Sequence, residues 1–227
     1  VGSSALLVNT TGASNVAVGS NALAANTTAH SNVAVGKDAL KVNTTGTGNS
    51  AFGAGAQDAR ITGNNNTALG YGALSADTQA ANNTAVGSEA MAANVSGNYN
   101  TAVGQLALAA QLTGNLNVAM GQSALTATNG TSYNTAVGGY ALIACTSGVN
   151  NTGVGKSALA ACTTGDSNVG VGIEAGDNTT IGAYNISVGF ESQPSAVDTD
   201  NEITIGKALI GKGAGTGFYG GNGAIYS

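Results

Sequence analysis

The stretch Asn100-Thr101-Ala102-Val103-Gly104, with Ala107-Leu108 close behind it, decides the fold, because its pattern returns every 17 residues along nearly the whole chain. A glycine preceded by an apolar residue stands at Gly2, Gly19, Gly36 and so on in steps of 17 to Gly206. Four residues before it an asparagine recurs in eleven successive repeats, from Asn15 to Asn185. The consensus reads N-T/V-A-V-G-x-x-A-L-x-x-N-T-T-G-x-x. Strict self-similarity at one short period marks a solenoid, in which each repeat is one coil and buries its apolar side only by stacking on its neighbours.

Within a repeat, N-T-A-V-G carries β-branched residues with period-2 character and reads as a short strand. The A-L-x-x-N stretch reads as an outer strand or a single helical turn. T-T-G-x-x turns back toward the next strand, with Gly12, Gly46, Gly63, Gly97, Gly114, Gly148 and Gly165 expected to supply positive φ. The predicted fold is all-β: a parallel β-solenoid or β-roll of about thirteen coils, with strands stacked about 4.8 Å apart into a rod of roughly 60 Å. Regular repeats span 1–175, irregular final repeats 176–206, and a Gly-rich segment 207–227.

Each repeat has two large side chains: the residue before the glycine (Val18, Val35, Phe52, Leu69) and the leucine four after it (Leu23, Leu40, Leu74, Leu108). Both are expected to face the coil interior, with Phe52 filling the space left where Gln57 replaces leucine. The residue two before the glycine then points to the opposite face. It is always small: Ala17, Ala34, Ala51, Ala68, Ala85, Ala102, Ala119 and Ala136. This uninterrupted alanine row is expected to be the inter-chain face, since a thin coil has little core of its own.

Composition narrows the function. Of 227 residues only 7% are charged, against about a quarter in an ordinary soluble domain. The net charge is −5 and six basic residues are scattered without forming a patch, which excludes nucleic acid and anionic membrane as partners. No apolar run is long enough for a transmembrane helix. The chain starts within a repeat at Val1-Gly2-Ser3, which suggests a segment of a longer protein.

No catalytic constellation is present, so the chain reads as a non-enzyme with no cofactor. His30 is the single histidine and reads as a turn residue. Asp198, Asp200 and Glu202, after Pro194, form a weak candidate Ca²⁺ site whose simpler reading is an acidic loop. Cys145 and Cys162, 17 apart, occupy one place on adjacent coils. They are either a disulfide, which would fit an extracellular setting, or two small side chains in a ladder. The asparagine row reads as a structural amide ladder. Ten N-x-S/T sequons occur, with Asn9, Asn26 and Asn43 in the turns as the foremost glycosylation candidates. Aromatic residues near the end, including Phe218, Tyr219 and Tyr226, are candidate glycan contacts of a tip; the competing reading is a transition to a further shaft module.

The string N-T-A-V-G-x-x-A-L-x-x-N-T-T-G resembles repeats of phage tail fibres, and its N-x-A-V-G core resembles the head repeats of trimeric autotransporter adhesins. The 17-residue period is longer than that of the adhesins. The resemblance implies a homotrimeric, fibrous protein, extracellular or on the virion surface, that associates with itself and adheres to a cell-surface glycan. The expectation is therefore a structural fibre module, as a homotrimer or a head-to-tail filament. The alternative is a single-chain solenoid that binds ice or carbohydrate, for which Thr10, Thr27 and Thr44 begin a threonine row that later coils break.

Overall fold

The computed structural model describes residues 1–59 and 62–206. It is a parallel β-solenoid with no helix among those residues. Twelve three-residue strands, from β1 (Val16–Val18) and β2 (Val33–Val35) through β6 (Thr101–Val103) to β12 (Ile203–Ile205), form one sheet in chain order. The register never slips: Ala17 pairs with Ala34, Ala85 with Ala102, and Ala102 with Ala119. The final repeats keep it as well, with Ser187 opposite Thr204.

Each coil is tied to both neighbours by the same donors. The Gly104 N–H donates back to Val86 O at 2.7 Å, while Thr101 N–H donates forward to Asn117 O at 2.9 Å. The Leu108 N–H donates forward to Ala124 O at 3.0 Å. The A-L-x-x-N stretch is neither strand nor helix but a run of tight turns, in which the residues two and four after the glycine adopt left-handed backbone, such as Leu106 (φ 58°) and Leu108 (φ 53°). Leucine is a poor choice for that conformation. Full burial of Leu108 offsets the cost, since burying such a side chain stabilises by about 1.5–3 kcal/mol.

Positive φ does not fall on the turn glycines, which corrects the expectation for Gly46, Gly97 and Gly148. They stand inside the coil, and a Cβ on Gly148 would lie 2.9 Å from Asn151 Nδ2. Other coils hold Ala29, Ala80 or Thr131 at that place. The repeat-defining glycine is the one with left-handed backbone: Gly104 has φ +133°, and a Cβ there would lie 2.6 Å from the backbone carbon of Gly121 on the next coil. Glycine at this place is thus a requirement of stacking.

The sidedness of the strand is the reverse of the one expected. Ala34, Ala51, Ala68, Ala85, Ala102, Ala119 and Ala136 are fully buried within a single chain, and Ala17 is 7% exposed. They pack into one core with the leucine row and with Ala22, Ala39 and Ala107. The alanine row is therefore not an inter-chain face. The space between strand and leucine row admits little more than a methyl: where Gly153 replaces the alanine, an added Cβ would lie 3.0 Å from Ala158 O and 3.4 Å from Leu142 Cγ. The residue before the glycine points outward, and Phe52 is 40% exposed while Gln57 alone takes the buried leucine place. Where Gly176 takes that place, the neighbouring coil's Leu159 fills the space, its Cδ2 being 2.8 Å from where a Cβ would stand.

Candidate interaction surface

The outward strand residues form two parallel rows, one from Val16 to Ile203 and one from Val18 to Ile205. Across all twelve strands neither row contains a charged residue, and nearly every member is Val, Ile, Leu, Thr, Phe or Met. Strands lie about 4.8 Å apart and the rows about 7 Å apart along each strand, so the strip is roughly 53 Å long and covers roughly 400 Å² before side-chain width is added. Leu69 is 49% exposed, Met120 43% and Ile205 50%. A contiguous patch of that size is at the scale of the largest apolar patch on a typical monomer, which is often functional.

An asparagine ladder runs through the coils beside this strip. Asn83 Oδ1 accepts the Asn100 N–H at 2.8 Å, and Asn83 Nδ2 donates to Gly97 O at 2.8 Å. The same pair of bonds recurs at Asn100, Asn134 and Asn151, all buried. Asn26 and Asn43 form a second interior row, with their Nδ2 atoms donating to Ala29 O and Gly46 O. These two sequon asparagines are fully buried, so as glycosylation sites they are corrected. Asn9, half-buried on the first coil, makes the same bond to Gly12 O. The sequons that reach the surface are instead Asn65, Asn82, Asn129 and Asn150.

Cys145 and Cys162 are buried and free, which corrects the candidate disulfide. They continue the interior asparagine row and copy its bonding: Cys145 Sγ donates to Gly148 O at 3.4 Å and Cys162 Sγ to Gly165 O at 3.5 Å. Contact with Cys162, together with burial, pushes the Cys145 thiol well above its ordinary value. His30 is exposed and its Nδ1 accepts the Ala13 N–H, in keeping with a turn residue.

The candidate calcium ligands serve the loop that carries them. Asp200 Oδ1 accepts the Ala183 N–H, Glu202 accepts from Ser195 N–H and hydroxyl, and Asp198 is exposed. Among the described residues no three acidic, cysteine or histidine side chains come together as a metal site. Phe218, Tyr219 and Tyr226 lie outside the described residues. The Thr10 and Thr163 hydroxyls donate to Thr27 O and Thr180 O of the next coil, so that row is tied to backbone.

A shallow cavity of about 300 Å³ opens where Gly55 and Gly72 leave two coils without side chains, and Asp58, Tyr71, Ser75 and Glu89 line it. Burial pushes the Asp58 carboxyl above its ordinary range. No described helix is long and apolar enough to cross a membrane. Against known proteins, the chain matches no family model, no curated sequence and no solved structure.

Proposed function

We propose that the protein is a structural module of an extracellular fibre, of the kind its repeats resemble, and that copies associate side by side through the outward Thr/Val and Val rows. The observation that carries this reading is the uncharged strip itself, about 53 Å of apolar sheet on a chain whose connections hold its charges. Burying such a strip stabilises by about 25 cal/mol per Å² of apolar surface. The interior ladders contribute stiffness along the axis, as a shaft needs. The resemblance to trimeric fibres makes three the expected number of copies, and a closed ring leaves no strip exposed. The role is mechanical, without a chemical step.

Light scattering on the intact chain tests this reading. A stable species near three times the chain mass is expected, falling to one chain mass when Val86 and Val103 are both replaced by glutamate. A wild-type protein that stays monomeric at high concentration would overturn it.

One observation favours a second reading. Thr67, Thr84, Thr101, Thr135 and Thr152 all lie in the outward row. With the valine row they form a regular lattice of methyls and hydroxyls suited to an ordered solid surface such as ice. Thermal hysteresis in the monomer would favour it.

A further inference from the structure

Tyr99, Leu116 and Tyr133 occupy the same place on three consecutive coils, immediately before the ladder asparagines Asn100, Asn117 and Asn134. All three have left-handed backbone, at φ 57°, 57° and 63°. Elsewhere this row holds mostly residues that tolerate that conformation, among them Ser14, Ser31, Gly48, Asn65 and Asn82, with a single further aromatic, Tyr184, standing apart from the three at φ 60° and 61% exposed. A bulky side chain there is an outlier. The leucines of the core, which share the conformation, are compensated by complete burial, but Tyr99 and Tyr133 are each 60% exposed and Leu116 48%. Three adjacent coils thus carry backbone strain and exposed apolar surface that burial among the described residues does not repay. Strain retained in this way points toward function.

We infer that Tyr99, Leu116 and Tyr133 form a binding platform for a neutral, extended β-1,4-linked polysaccharide lying along the solenoid axis. The step between coils, about 4.8 Å, is close to the advance of one sugar in such a chain. Alternate sugars of that chain face the same way. Tyr99 and Tyr133, two coils and about 9.6 Å apart, therefore meet equivalent apolar faces of the first and third sugar, with Leu116 under the one between.

The neighbouring row supplies polar groups. Asn115 Oδ1 accepts the Asn98 N–H at 2.7 Å, and Ser132 Oγ accepts the Asn115 N–H at 3.0 Å, so both side chains are held in place. Those bonds leave the Asn115 Nδ2 and the Ser132 hydroxyl proton for sugar hydroxyls. Neither row contains a charge on these three coils, which matches a neutral ligand rather than a uronate or a sulfated chain. The backbone beneath is fixed by Tyr99 N–H to Ala81 O at 3.2 Å and Tyr133 N–H to Asn115 O at 3.1 Å. The platform stands independently of the self-association proposed above.

The test is titration calorimetry of the intact chain with cellohexaose and chitohexaose, and with α-1,4-linked maltohexaose, whose curved chain cannot follow a straight row. At least one β-1,4 probe is expected to bind, more tightly than maltohexaose, and Y99S/Y133S is expected to weaken it tenfold or more. Serine is native to this row, and asparagine, equally native, replaces it should the serine variant alter the circular dichroism spectrum. Failure of both β-1,4 probes to bind, undiminished binding by the double variant, or equal binding of maltohexaose would overturn the platform. So would loss of native mass in the double variant, which would make the strip a contact between copies instead.

Discussion

Asn83 and Asn100, one coil apart, are joined by a hydrogen bond of 2.8 Å from the Asn100 backbone N–H to the Asn83 amide oxygen. Both residues are essentially buried, so each side chain satisfies a backbone group that water cannot reach. Leaving a buried polar group unpaired costs about 1–3 kcal/mol. Asn83→Ala strands the Asn100 N–H and removes a donor from Gly97 O, and a loss of about 2–4 kcal/mol is expected. Denaturant melts check it; a loss below about half a kcal/mol would mean that the ladder is ornamental.

Gly104→Ala is expected to be worse than its single methyl suggests. The new Cβ would stand 2.6 Å from the Gly121 backbone carbon at a φ of +133°. The coil must part from its neighbour, and hydrogen exchange should show protection lost on both sides of the substitution.

The two faces of β6 should differ in how well they tolerate substitution. Ala102→Leu forces bulk into a core with room for a methyl, costing about 1–3 kcal/mol or more. Val103→Thr on the outer face should leave the melting temperature of the single chain within a degree or two, because surface substitutions stay near ±0.5 kcal/mol. Thermal melts of both variants at low concentration decide whether the sidedness is as described.

Cys145 and Cys162 should resist alkylation in the folded chain and react fully once it is unfolded, as mass spectrometry can count. The folded state holds the Cys145 proton more tightly than the unfolded chain does, since contact with Cys162 and then burial raise its pKa. That contribution to stability is therefore complete below the ordinary thiol value of about 8.5 and is lost as pH climbs from there toward the folded value. The fall in urea midpoint between pH 7 and pH 10 should be larger for the wild type than for Cys145→Ala/Cys162→Ala; an identical alkaline loss in both proteins would remove the thiols as its cause.

The period, the strand, the parallel stacking, the buried Leu108 place and the amide role of Asn100 were all legible in the sequence, because each follows from spacing and residue type alone. Which side of the strand faces inward was not. Alternation of Ala102 and Val103 establishes two faces but gives no sign, and both residues are apolar. The deciding quantity is volume: the gap between strand and Leu108 admits a methyl, and the row that holds only alanine or glycine from Ala17 to Gly170, before Ser187 and Thr204, is the one that fits. Gly153 and Gly170, which only shrink that row further, are consistent with an interior. The buried sequons were hidden for a related reason, since Asn26 and Asn43 turn their amides inward to serve Ala29 and Gly46. Nothing in the sequence singles out Tyr99 and Tyr133, because their left-handed backbone follows from the coil and not from their residue type.

The close approach of Gly104 to Gly121 bears on how such a chain can change through time. A one-residue insertion would carry a side chain into the glycine column and swap every outward valine with an inward alanine along that strand. Only gain or loss of a whole coil leaves both columns intact. Length is thus a quantised trait, adjustable in increments of about 4.8 Å, and duplication within the gene is the natural way to tune the reach of the solenoid.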